Sequence, residues 1–132
     1  MNNIYQKTLS KKLSFTGIGL HSGKKSTLNL LPAKEDSGIV FKRVDLERNN
    51  SIKANFLNVT SAKLCTTLEN KNGAKVSTVE HLLAAFYISG VDNAIVEIDN
   101  EEVPIMDGSA KDFLSILNQN KLLKQSKKRR YL

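Results

Sequence analysis

The stretch Ser77-Thr78-Val79-Glu80-His81-Leu82-Leu83-Ala84-Ala85-Phe86 sets a carboxylate directly beside an imidazole at the start of a helix with almost no polar side. No charged residue occurs from Leu82 to Val91. A surface helix keeps a charged face toward water, so a helix that is apolar all round has to be covered on every side. At about 100° per residue, Val79, Leu82, Leu83 and Phe86 form one stripe, with His81, Ala84, Ala85 and Ile88 on the opposite side. Both sides call for a partner. Ser77 fits an N-cap whose capping box is completed by Glu80, and Gly90 stands where a left-handed residue ends a helix.

Working outward, the chain on the N-terminal side reads as strands joined by turns. Leu13 to Ile18 can be extended, Ser26-Thr27-Leu28-Asn29-Leu30 alternates until Pro32, Ile39-Val40-Phe41 follows Gly38, and Ile52 to Val59 is a weaker strand. Cys65 to Glu69 and Ala74-Lys75-Val76 flank Asn70-Lys71-Asn72-Gly73, a hairpin signal. On the C-terminal side Ala94 to Asp99 alternates, Val103 to Met106 is extended, and Asp107-Gly108-Ser109 forms a turn. A second helix follows, capped by Ser109 with Asp112 at its third position and with Phe113, Ile116 and Leu117 at core spacing. Strands followed by helix, strand and helix predict an α+β fold: a two-layer sandwich with a mostly antiparallel sheet of about five strands and two helices on one face.

The chain has 132 residues, enough for one domain with a hydrophobic core. Its net charge of +7 is local. Residues 121–132 hold six bases and no acid, leaving 14 bases against 13 acids in residues 1–120. The expected organisation is therefore a domain over 1–120 and a basic tail over 121–132. A run such as Lys127 to Arg130 can bind phosphates or anionic lipid, but short basic ends are common and often bind nothing, and no nucleic-acid partner is expected. The single Cys65 excludes an internal disulfide and points to a reducing compartment, the cytoplasm. The N-terminus lacks the apolar core of a secretory signal, and no run approaches the roughly 20 apolar residues that span a bilayer.

Each candidate residue has a structural and a chemical reading. Glu80 either accepts the Ser77 backbone N–H as a cap or acts as a general base beside an acidified water. His81 either packs against the helix face or ligates a metal, imidazole being the commonest protein ligand for zinc. Adjacent helical residues diverge too far to grip one ion together, but the carboxylate can address a water that the ion holds. His21 lies among the glycines of Gly17-Ile18-Gly19-Leu20-His21-Ser22-Gly23, where a turn either presents it to a cleft or leaves it on the surface. Cys65 reads as a structural thiol. Catalytic zinc takes three protein ligands and a water, and the chain offers only His21, His81, Cys65 and scattered carboxylates.

The segments Gly17 to Gly23, Ser77 to Leu82, Val91-Asp92-Asn93-Ala94 and Val103-Pro104-Ile105-Met106-Asp107-Gly108-Ser109 together resemble UDP-3-O-acyl-N-acetylglucosamine deacetylase, the zinc enzyme of lipid A synthesis. Four motifs in order and in register carry the resemblance over nearly the whole chain. It implies a hydrolase that removes acetate from a sugar-nucleotide amide, with Zn2+ polarising the carbonyl and acidifying water. By the same resemblance Glu80 is the general base, His81 a zinc ligand, and His21 a lining residue of the active-site region. The family fold has two similar domains, each a sheet with two helices on one face, with the site between them.

This chain resembles only the first of those domains. The family's other zinc ligands, a His and an Asp on one helix, lie in the second, as do a catalytic lysine, a further histidine and much of the substrate surface. The expectation is an N-terminal half, inactive alone, whose helix 78–89 receives the missing domain. The alternative from the residues is a non-catalytic domain that binds a partner through the exposed helix face and the basic tail.

Overall fold

A computed structural model of the protein describes residues 4–55, 58–61 and 65–130. In chain order its elements are β1 (Tyr5–Leu9), β2 (Leu13–Ile18), β3 (Lys25–Pro32), β4 (Ile39–Arg43), β5 (Ser51–Lys53), β6 (Val59–Ser61), β7 (Thr67–Glu69) and β8 (Lys75–Ser77). Then follow α1 (Glu80–Ser89), β9 (Ala94–Ile98), α2 (Lys111–Gln119) and β10 (Leu122–Lys128). The expected α+β class is the one observed. Its centre is a five-stranded sheet in the order β2-β3-β9-β4-β5, antiparallel except where β4 runs parallel to β9. The weak strand expected over Ile52 to Val59 is two short ones, β5 and β6, with residues 56 and 57 outside the described residues.

Strand periodicity decides which face of this sheet is dry. Side chains alternate between faces, and residues paired across strands share a face. The registers Leu13↔Leu30, Leu30↔Val96, Val96↔Phe41 and Phe41↔Ile52 therefore set five buried apolar residues side by side, with Phe15, Leu28 and Ile98 in the next row. The other face is mostly polar at the β2 side and carries a half-buried apolar row of Leu31, Ile95 and Val40. There Ser14 donates to Asn29 at 2.7 Å, and the Thr16 and Thr27 hydroxyls meet at 3.3 Å. Helices pack on the dry side: Phe113 of α2 meets Phe15 of β2 edge to face, ring centroids 5.0 Å apart, and α2 lies against α1.

Within α1 the buried residues are Leu82, Ala85 and Phe86, with Val79 just ahead of the helix. Ala85, expected on the opposite stripe, is fully buried, so the covered arc is wider than that stripe alone. Ala84, Tyr87 and Ile88 stay outside, the last two at 79% and 68% exposure. Gly90 ends the helix as expected. Its left-handed backbone, φ 87°, lets its N–H and that of Val91 return to the Phe86 carbonyl at 3.0 and 2.9 Å.

Both helix starts differ from expectation. Ser77 does not cap α1, because its N–H is already donated to the Glu101 carbonyl at 2.8 Å as part of the β8 edge. The helix begins at Glu80, and Val79 is the cap residue without a side-chain bond. A capping box needs a free Ser77 amide, and tertiary pairing has removed it. Likewise α2 starts at Lys111 after Ala110, one residue later than a Ser109 cap requires. Ser109 Oγ accepts the Lys111 N–H at 3.1 Å and is itself held by Asp107. Asp112 therefore occupies the second helical position rather than the third.

The segment expected as a basic tail contains β10, which pairs antiparallel with β1. Asn93 secures this strand pair to the sheet. Its amide nitrogen donates to Gln6 Oε1 and Gln125 Oε1 at 2.9 and 2.8 Å, its Oδ1 accepts the Gly38 N–H at 2.9 Å, and its carbonyl accepts the Thr8 hydroxyl at 2.6 Å. The basic charges are also engaged. Lys127 and Arg130 reach Asp36 at 3.0 and 3.5 Å, and Arg129 pairs with Asp92 at 2.9 Å while donating to the Gly90 carbonyl. Among the described residues no helix is long and apolar enough to cross a membrane.

Because the Asn93 amide serves three partners at 2% exposure, Asn93→Ala leaves Gln6, Gln125 and the Gly38 N–H without their shared partner. The expected loss is about 2–4 kcal/mol, read from the urea midpoint, whereas Ser14→Ala on the wet face changes stability by about 0.5 kcal/mol or less.

Candidate functional site

The helix start is shaped by one residue. Thr78, between β8 and α1, has φ 59° and is 2% exposed. A β-branched residue in the left-handed region is a genuine outlier, costing on the order of 1–3 kcal/mol. The reversal turns the strand into the helix within two residues, and Val79 then donates its N–H to the Thr66 carbonyl at 3.4 Å. Glu80 answers from the helix: its Oε1 accepts the Thr66 N–H at 3.3 Å. That long bond replaces the expected cap. It occupies one carboxylate oxygen, and no described residue donates to the other.

Glu80 and His81 are both half-buried at the first turn. No hydrogen bond reaches the His81 ring among the described residues. An imidazole whose nitrogens no described residue bonds, beside a carboxylate, suits one metal ligand next to one base. A full donor set is not present: no group of three His, Cys, Asp or Glu comes together among the described residues. Cys65 is a free, half-buried thiol, its Sγ 3.9 Å from Thr67 Oγ1. A groove of about 560 Å³ opens at the other end of α1, walled by Leu83, Phe86, Tyr87, Val91 and Arg129, and the Glu80–His81 pair lies outside it.

His21 is exposed in the β2–β3 loop, a turn closed by the Gly19 N–H to the Lys24 carbonyl at 2.9 Å and the Gly23 N–H to the Gly19 carbonyl at 3.0 Å. No hydrogen bond joins the His21 ring to Glu80 or His81 among the described residues. The backbone makes the connection instead, through a residue that sequence reading passed over. Glu102 is 2% exposed, and its carboxylate accepts the His21 N–H at 3.0 Å to both oxygens, the Ser22 N–H at 2.7 Å and the Thr78 hydroxyl at 2.6 Å. Burial pushes this carboxyl up, but the donors from Thr78, Ser22 and His21 outweigh it and hold it below the usual glutamate value.

The glycine motif acquires a steric meaning here. A Cβ on Gly19 would collide with Glu102 Oε1 and Ser22 Oγ, and one on Gly17 would press on Pro104. These two positions lack side chains so that residues 102–106 can lie across the end of β2. The signal available in the sequence was an acid abutting an apolar run, Glu102 before Val103-Pro104-Ile105-Met106. Asp107 is instead an exposed turn residue, its carboxyl lowered chiefly by the Ser109 hydroxyl.

A carboxyl depressed in the folded state contributes stability that is complete above its unfolded value and is lost as pH falls through the folded one. For Glu102, with an ordinary value of 4.5, the expected result is a urea midpoint for Glu102→Gln below that of the parent near neutrality. The gap closes as pH falls below 4.5; denaturation of both proteins across pH measures it, and a gap independent of pH would contradict the assignment.

Comparison with known proteins supplies the context for this geometry. Residues 6–132 match the family profile described as UDP-3-O-acyl N-acetylglycosamine deacetylase. Relatives named UDP-3-O-acyl-N-acetylglucosamine deacetylase include those of Geotalea uraniireducens, 52% identical over 97% of this chain, and Citrifermentans bemidjiense, 50% identical over 98%. The Shewanella baltica protein of the same name is 44% identical over 98%. The chain spans 41% of the first relative's length and 42% of each of the other two. With the match running through both glycines of the β2 end, the Thr78 turn and the Glu102 crosspiece, the chain belongs to the UDP-3-O-acyl N-acetylglycosamine deacetylase family.

Proposed function

We propose that this chain forms one wall of a zinc-dependent amide hydrolase site that removes acetate from UDP-3-O-acyl-N-acetylglucosamine in lipid A biosynthesis. The observation that carries the reading is the half-buried Glu80–His81 pair, in which no described residue bonds the imidazole nitrogens or the second carboxylate oxygen, in a chain matched to this family over residues 6–132. When bound, Zn2+ supplies Lewis acidity to the amide carbonyl and lowers the pKa of a water. His81 would hold one coordination position of that ion, and Glu80, one residue earlier on the helix, would take a proton from the attacking water and return it to the leaving amine. His21 lines the approach on the loop beside it.

The remaining ligands come from a second domain of the same family, which we place on α1. Tyr87 and Ile88, 79% and 68% exposed on an otherwise apolar helix, are the surface left for it to cover. The chain alone is then inactive. A binding role for the basic segment is less supported, since Lys127, Arg129 and Arg130 already pair with Asp36 and Asp92. The free thiol of Cys65 fits a cytoplasmic location.

In the full-length protein, Glu80→Gln is expected to cut turnover by about 10²–10⁴-fold at unchanged zinc content, and His81→Ala to abolish stoichiometric zinc. Zinc analysis beside acetate-release kinetics checks both. Normal turnover in the glutamine variant would rule out Glu80 as the base.

A further inference from the structure

We infer that Glu102 is a positioning residue whose buried carboxylate holds the His21 loop and the start of α1 in one rigid frame. The inference rests on the roles proposed above for Glu80, His81 and His21. Three features of the site lead to it.

First, Glu102 carries its charge without a cation: among the described residues no Lys, Arg or His side chain pairs with it, and its donors are the His21 and Ser22 N–H groups and the Thr78 hydroxyl, with the Ser22 hydroxyl also helping to hold its carboxyl down. Burying a charge is unfavourable unless its donors are fixed in place. A packing role alone would be served by an apolar side chain of similar size. Second, the donors come from two segments distant in sequence, His21-Ser22 and Thr78, so one group couples a loop to a helix start. Third, Thr78 sits in a backbone region that a β-branched residue avoids, with its hydroxyl tied to Glu102 at 2.6 Å. Rotation about this residue redirects everything after it. Glu80 is two positions further on and His81 three.

The main chain around Glu102 is anchored independently of its side chain. Ser77 donates to the Glu101 carbonyl at 2.8 Å, Val103 to the Ser77 carbonyl at 3.0 Å, and Ile105 to the Ile18 carbonyl at 2.9 Å. Removing the carboxylate therefore leaves residues 101–105 strung between β8 and β2. What is lost is the coupling of loop to helix, not the crosspiece itself.

Amide hydrogen exchange on the 132-residue chain tests this in Glu102→Ala, Thr78→Gly and the double variant. In Glu102→Ala, exchange at His21, Ser22, Val79 and Leu83 rises by about tenfold or more, while Leu68 and Val96 in the sheets keep their protection. Glycine adopts the left-handed backbone without help, so adding Thr78→Gly restores Val79 and Leu83 but not His21 and Ser22. This selective rescue is the signature that mere packing would not give. Uniform acceleration at all six amides, unchanged exchange at His21 and Ser22, or no rescue by glycine each overturns the proposal. In the full-length protein Glu102→Ala lowers kcat between about ten- and a hundredfold at unchanged KM, with partial recovery on adding Thr78→Gly. Absence of turnover in the parent protein would sink the deacetylase reading alone, since the exchange result needs neither metal nor substrate.

Discussion

One buried carboxylate ties together the end of this domain where α1 begins. Glu102 gathers the amides of His21 and Ser22 and the hydroxyl of Thr78, and its charge is balanced by oriented dipoles rather than by a base. Such an acceptor imposes geometry, because every donor has to point at the same two oxygens in a place that water does not reach. The surrounding motif follows from it. Gly19 has no side chain because the carboxylate fills the space where its Cβ would be, and Gly17 has none because Pro104 does. Thr78 accepts an unfavourable backbone conformation and returns a hydroxyl that the carboxylate needs.

A second polar centre does the corresponding work at the other end. Asn93 satisfies Gln6, Gln125 and the Gly38 amide at once, so the β1–β10 pair is joined to the five-stranded sheet through these side chains and a single backbone bridge at Thr8 and Asn93 rather than through a continuous ladder. The Arg129 guanidinium reaches both Asp92 and the carbonyl at the end of α1, where a cation also complements the helix dipole. Charges that look like a solvated basic end in one dimension are, in the fold, a brace between the β1–β10 pair and the helix. Between the two centres the core is ordinary one-sided packing of a sheet against two helices.

The same logic explains why the proposed chemistry looks unfinished. In that proposal the Glu80–His81 pair at the first turn of α1 would provide one ligand and one base, and the described residues assemble no group of three potential metal donors. The outer face of α1, with Tyr87 and Ile88 exposed, is apolar surface that no described residue covers. Family relatives more than twice this chain's length give that face and that pair a common reason in the functional proposal.

Much of the architecture could be read from the sequence because alternation and turn residues are local signals. The strand limits Leu13 to Ile18, the Asn-Gly hairpin, the Gly90 terminus and the one-sided sheet all follow from spacing within a few residues. The motif surrounding Glu80 and His81 was legible for the same reason, and the four segments in register pointed to the family. Helix starts were misread where Ser77 and Ser109 resembled caps, because a side chain suited to capping is free to do so only if no distant strand or turn has claimed the same backbone. Glu102 was missed since its partners lie about 80 and 24 residues away, and no periodicity encodes a contact of that kind. The sequence by itself determined which stretches extend, which coil and which face of each is apolar. Only the tertiary structure decided which polar groups meet, because a buried charge is tolerated solely where several remote donors converge on it.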